Sequence, residues 1–184
     1  HQGDPFDVMS FRVAREVNDP QPLPARLSTI DRLQMADAVN AARPREFDYG
    51  MWFGQWTING RTFRMESVAA DEEVGLGTLE AWDLSSGSSG FGMGMMNMGM
   101  PHPVHLHGQQ FQIVDRDINR SYYSMWDSLS DGFVDSGWKD TVLVMPGERV
   151  RILRRFDDYP GLFLQHCHNL EHEDMGMMRN FRVS

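Results

Sequence analysis

The chain has 184 residues, a net charge of −9 and a pI near 5.1. That acidity argues against nucleic acid or an anionic membrane surface as a partner, and no apolar run of about 18 residues offers a membrane span. The length suits one domain with an extension, 41% hydrophobic residues suffice for a core, and a single cysteine excludes an internal disulfide.

In chain order, residues 5–14 alternate and predict a strand. Pro20, Pro22 and Pro24 then break regular structure. Residues 31–39 predict a short helix. From Glu46 onward short β-type runs dominate. The first, 47–58, ends at Asn59-Gly60, a hairpin signal. Residues 78–83, 104–114, 141–145 and 149–156 follow, the last two joined as a hairpin by Pro146-Gly147. Residues 162–167 and 178–183 complete the set. Short strands separated by turn signals, without internal repeats, predict an all-β sandwich.

Two intervening stretches differ from the rest. Residues 85–90 are Ser and Gly only, a flexible-linker composition. Met93, Met95, Met96, Met98 and Met100 then place five thioethers in eight residues. They read as soft donors for Cu(I), as an adaptable apolar lip for an organic substrate, or as a loop with no dedicated role. Tyr122-Tyr123-Ser124-Met125-Trp126 reads as loop anchoring before contact with an aromatic ligand. Trp56 and Trp138 read as core or edge packing, and Lys139 and Asp140 as structural.

The chemistry concentrates in two histidine clusters. One is His102-Pro103-Val104-His105-Leu106-His107. The other is His166-Cys167-His168-Asn169-Leu170-Glu171-His172, with Met177 five residues on. They hold six of the seven histidines and the only cysteine, a concentration that ordinary core histidines would not produce. In a strand, residues two apart share a face and neighbours do not. His166 and His168 therefore face away from Cys167, and His105 shares a face with His107.

Cys167, His172 and Met177, with His102 from a separate strand, make a two-imidazole, one-thiolate set with a thioether. That set suits copper. Zinc accepts the same nitrogen and sulfur donors, but a methionine at the fourth corner argues for copper. His105, His107, His166 and His168 form a second group, able to hold a single metal or to be part of a larger site.

The motifs H-P-V-H-L-H-G and H-C-H-N-L-E-H-E-D-M-G-M-M resemble the two C-terminal copper signatures of the multicopper oxidases, which include laccases, bilirubin oxidases and cuprous oxidases. Residue type, order and spacing agree in both. Phe6-Asp7-Val8-Met9 resembles the last strand of that family's second domain, and Gln55-Trp56-Thr57-Ile58-Asn59-Gly60 the opening of its third. Gly137 to Val142 and Pro146-Gly147-Glu148 resemble its bacterial branch.

The resemblance implies a cupredoxin-like Greek-key β-sandwich over residues 46–184, with residues 1–45 as the end of a preceding domain and a connector. It implies that His102, Cys167 and His172 hold a type 1 copper with Met177 axial. His105 is then a type 2 ligand, and His107, His166 and His168 are type 3 ligands. Glu173 matches an acid linked to proton delivery, with Asp174 a weaker candidate, and Asn169 matches a residue near the type 1 site of bilirubin oxidases.

Family members take four more cluster histidines from an N-terminal domain, in two H-x-H motifs that this chain lacks. The expected partner is therefore an N-terminal cupredoxin portion, as a separate chain or a cleaved fragment. The complete enzyme would hold four coppers and couple oxidation of phenols, aromatic amines or tetrapyrroles to reduction of O2, in the periplasm or outside the cell. Cuprous oxidation for copper tolerance is the alternative. Some cuprous oxidases place an acid four residues before the first type 1 histidine, where this chain has Met98. A blue-copper carrier would leave the second histidine group unused.

Overall fold

The computed structural model describes residues 7, 9–16, 18, 22–87 and 99–184. It contains two compact units, residues 1–30 and residues 31–184. In the first, the described residues form no helix or strand. The strand expected over 5–14 is therefore absent at its described positions. Its alternation is real, but Met9, Phe11 and Val13 are all exposed. A strand needs a ladder partner for its backbone groups, and none of the described residues supplies one.

In the second unit the strands are β1 (Arg45–Trp52), β2 (Gln55–Ile58), β3 (Glu73–Val74), β4 (Thr78–Ser86) and β5 (His102–Leu106), then β6 (Phe111–Ile118), β7 (Thr141–Val144), β8 (Glu148–Phe156), β9 (Gly161–Cys167) and β10 (Met178–Val183). One sheet has the order β2-β1-β4-β8-β6 and the other β3-β10-β9-β5-β7. The all-β sandwich expected from the sequence is what forms. Apolar side chains of both sheets meet between them. Trp82 is fully buried there, with Phe47, Phe156 and Phe181 at ring distances of 4.8, 5.6 and 5.4 Å. Burying each such ring stabilises the fold by roughly 1.5–3 kcal/mol.

Several expected elements are cut differently. The run 47–58 is two strands, reversed at Phe53-Gly54, where φ is 47° and 78°. Paired left-handed residues match the twist of a hairpin. Asn59-Gly60, at φ 53° and 71°, closes a second tight turn, from Ile58 to Arg61. The run 104–114 divides between the two sheets, turning at Gly108. Pro146-Gly147 does form a tight turn, with Glu148 N–H donating to Met145 O at 3.0 Å. It carries the chain from one sheet to the other and is not a hairpin, because β7 pairs with β5 while β8 pairs with β4 and β6. Ser85 and Ser86, read as linker, are buried at the end of β4.

Helix α1 (Tyr123–Ser130) occupies the expected loop. Its Trp126 Nε1–H donates to buried Glu148 Oε1 at 2.7 Å, and the same carboxylate accepts from Arg116 and from Met145 N–H. Helix α2 (Leu170–Asp174) lies between Cys167 and Met177. Over 31–39 only Met35–Asp37 is helical, as one 3-10 turn. Gln112 binds Leu33 N–H and Asp31 O, and Asn40 binds both backbone groups of Ala81. Gln112 thus occupies backbone groups at the start of the segment, while Asn40 ties its end to β4. Residues 31–44, read from the sequence as connector, pack on the sandwich through Leu33, Met35 and Ala38 against Leu79 and Leu153. Among the described residues no helix is long and apolar enough to cross a membrane.

The crossover turn depends on Gly147. Its φ is 71°, and a Cβ there would collide with the Tyr122 ring. Gly147→Ala is expected to destabilise the protein by about 2–4 kcal/mol, from left-handed strain plus overpacking, as measured by urea unfolding.

Candidate metal centre

On β5 the buried residues are His102, Val104 and Leu106, while Pro103 and His105 face the other way. Val104 lies opposite Cys167 on β9 and His105 opposite His166. Pleating therefore sends Cys167 into the sandwich and His166 to the far face.

Behind the core face, Cys167 Sγ lies 3.5 Å from His102 Nδ1 and 3.5 Å from His172 Nδ1, and the two nitrogens are 3.3 Å apart. All three residues are buried. A triangle of these sides has its centre about 2.0 Å from each corner, the length of a metal–imidazole bond, roughly 2.0–2.1 Å. Burial pushes the Cys167 thiol up to about 11. Burial first, then His172 beside it, holds His102 down to about 3, and burial also lowers His172. Both imidazoles are thus neutral near pH 7. With each ring proton on Nε2, both Nδ1 lone pairs converge on the sulfur, and a bound cation in place of the thiol proton fits this cluster.

Met177 is fully buried beside the triangle. Its carbonyl accepts from Cys167 N–H at 3.1 Å, and its N–H donates to His172 O at 2.9 Å. Asn169 Nδ2 donates to Pro101 O at 3.2 Å, tying the residues before His102 to those after Cys167. Trp56 stacks on His172. The buried Tyr49 hydroxyl donates to Gln165 Oε1 at 2.8 Å.

On the opposite face, His105, His107 and His166 form a second three-residue group. His107 Nε2 and His166 Nε2 are 3.2 Å apart. His105 Nδ1 contacts Asp140 O at 3.0 Å and Thr141 Oγ1 at 2.9 Å, which leaves Nε2 free to bind. His166 Nδ1 lies 3.2 Å from Cys167 O and 3.3 Å from Glu173 Oε2, with the same consequence. Fixing one ring nitrogen in this way orients the other. Burial lowers both His107 and His166. His168 stands outside the tight group and is exposed, its ring 5.2 Å from His166 and 5.9 Å from His105.

Sequence reasoning missed three supports. Thr141 lies opposite His105 in the β5–β7 register. Arg154 donates to His107 O from the core. Trp56 packs in the core as expected and in addition stacks on a cluster imidazole. None carries a local signal, because each meets its partner only across strands. Asp140 serves the second cluster through its backbone carbonyl. Of the methionine-rich stretch only Gly99 and Met100 fall within the described residues, and Met100 packs against the core. Met93, Met95, Met96 and Met98 lie outside them.

The sequence profile of the multicopper oxidases matches residues 34–184. The chain belongs to the multicopper oxidase family. It is 34% identical to a laccase of Haloferax volcanii and 29% identical to a bilirubin oxidase of Albifimbria verrucaria, each over 96% of this chain. It spans 28% of the length of each of these relatives. Among solved structures, the multicopper oxidase McoA of Aquifex aeolicus superposes with a TM-score of 0.64 at 30% identity, covering 88% of this chain and 32% of McoA. A multicopper oxidase of Pediococcus acidilactici superposes at 0.67 and 30%, covering 90% and 30%. The sandwich is thus the all-β, cupredoxin-like fold of a multicopper oxidase, and copper is the metal the family implies. The thiolate–imidazole donors fit that ion.

The raised thiol can be tested without metal. In metal-stripped protein at pH 8, alkylation of Cys167 is expected to run at least roughly 10²-fold slower than that of a free cysteine, from thiolate fraction alone. It should rise about tenfold per pH unit until pH approaches the folded pKa of about 11. Fast, pH-independent labelling would contradict the burial argument.

Proposed function

We propose that this chain is the copper-binding C-terminal cupredoxin portion of a laccase- or bilirubin-oxidase-like enzyme. It would oxidise phenols, aromatic amines or tetrapyrroles one electron at a time and reduce O2 to water. The observation that carries this reading is the pair of donor clusters on opposite faces of β9, with Cys167 in one and His166 in the other. In the proposal His102, Cys167 and His172 would hold the electron-accepting copper, with the Met177 thioether as a further donor. His105, His107, His166 and His168 give half of a three-copper site, completed by four histidines of an N-terminal cupredoxin portion. A periplasmic or extracellular location belongs to the same reading.

Four bound coppers would together pass four electrons to O2, which takes up four protons to give two waters. The chain's own residues do the rest. Cys167 is joined to His166 and His168 by peptide bonds, so a covalent path links the clusters. Burial keeps water from the thiolate. Thr141 and the Asp140 carbonyl hold His105 with Nε2 outward. Glu173, against His166 Nδ1, would hold and pass protons beside the cluster that would reduce O2. Oxidation of Cu(I) for copper tolerance is the second reading, favoured by the five methionines before His102.

Metal content and colour test the proposal. The complete protein is expected to hold four coppers and to be intensely blue, from a strong absorption band in the orange-red. Cys167→Ser should remove the blue band and at least 10³-fold of phenolic oxidation, since the electron-accepting site is lost. One copper per protein would mean a carrier, and none would end the copper reading. Phenolic turnover that depends strongly on added Cu(II) would favour the cuprous-oxidase reading.

A further inference from the structure

Trp56 sits on β2 in the first sheet, yet its side chain reaches a cluster built by the second. Its ring stacks on the His172 imidazole at a centroid distance of 3.8 Å and an interplanar angle of 25°. It stands edge-on to His102 at 5.9 Å and 72°. One indole therefore touches both imidazoles of the buried triangle, and it is itself only 6% exposed. Trp82 and Trp126 each donate their indole N–H to a carboxylate, Glu80 and Glu148. Trp56 makes no side-chain hydrogen bond among the described residues, so the stack and its apolar neighbours hold it in place.

We propose that Trp56 is a positioning residue for the metal bound at His102, Cys167 and His172: it fixes the plane of the His172 ring and keeps water off it, and so favours the reduced ion. This rests on the copper reading above. One thiolate and two neutral imidazoles carry one negative charge. With Cu(II) the set therefore has one net positive charge, and with Cu(I) none. Water stabilises the charged form, and a dry surrounding penalises it. On reduction one electron leaves the organic reductant and is taken up at this cluster, while no bond to Trp56 forms or breaks. A flat apolar ring over His172 thus biases the one-electron equilibrium without taking part in it.

The test uses the complete copper-loaded protein and reads the reduction potential by titrating the blue band. Trp56→Leu keeps an apolar side chain but removes the flat cover. It is expected to shift the equilibrium threefold or more toward the oxidised ion, about 30 mV for a one-electron couple, with copper content unchanged. Trp56→Phe restores a stacking ring and should stay within twofold of the unmodified protein. A Leu variant at the unmodified potential, or a Phe variant displaced as far as Leu, would overturn the inference. A measurement on the unmodified protein needs no variant. In the copper-free complete protein with labelled histidine, the His172 ring protons should resonate upfield of their unstacked position, and an unshifted pair would refute the stack. Absence of copper at Cys167 in the unmodified protein would instead sink the functional reading. Copper bound there, with the potential unmoved by either variant, would sink this inference alone.

Discussion

The site depends on the ladder register of one strand. Because neighbours on β9 point to opposite faces, His166 and Cys167 can serve different clusters while sharing a peptide bond. A slip of one residue would send the thiol to the far face and His166 into the core. Two flanking ladders prevent it. Six residue pairs join β9 to β10, from Met178 opposite His166 to Val183 opposite Gly161. On the other side β5 pairs through Val104, His105 and Leu106. The pairing continues past the strand end, where His168 N–H donates to Pro103 O at 2.7 Å. Phe163 and Phe181 stack at 5.5 Å across the β9–β10 ladder and add packing to the hydrogen bonds.

Helix α2 extends the same division. It is five residues long, and successive side chains on a helix diverge by about 100°. His172 therefore turns to the thiol while Glu173, the next residue, reaches His166 on the other face. The segment from Cys167 to Met177 closes on itself through two backbone hydrogen bonds. A displacement of this helix would move a donor of one cluster and the acid of the other together.

Much of this was legible in the sequence, and the limits have physical causes. The two histidine motifs revealed the donor set and its facing, because spacing of two along a strand is a local property. The sandwich was legible from short β runs and turn residues. What failed was pairing. Pro146-Gly147 signals a tight turn but not which strands flank it, and the run 104–114 looked continuous although Gly108 sends its halves to different sheets. Residues 31–39 carry a helical pattern, but Gln112 binds the backbone at Asp31 and Leu33 and Asn40 anchors the segment to Ala81 of β4. Thr141, Arg154 and Trp56 were missed as cluster supports for the same reason: each acts on a residue at least 36 positions away.

The two clusters differ in how far this chain closes them. The thiol cluster is buried on all three residues, and its donors meet at one point. The imidazole cluster has His166 buried, His105 half-buried and His107 exposed, with His168 exposed beside them. Two Nε2 atoms 3.2 Å apart cannot both carry a proton without repulsion, and desolvation together with the neighbouring imidazoles lowers the pKa of both rings. Neutral imidazoles aimed at common space suit metal, yet one side of that space opens to solvent. A closed site fixes the geometry of a single ion and excludes water. An open one admits further ligands and a small molecule such as O2. Under the proposed function, the need for both explains why one strand presents a finished cluster on its inner face and an unfinished one on its outer face.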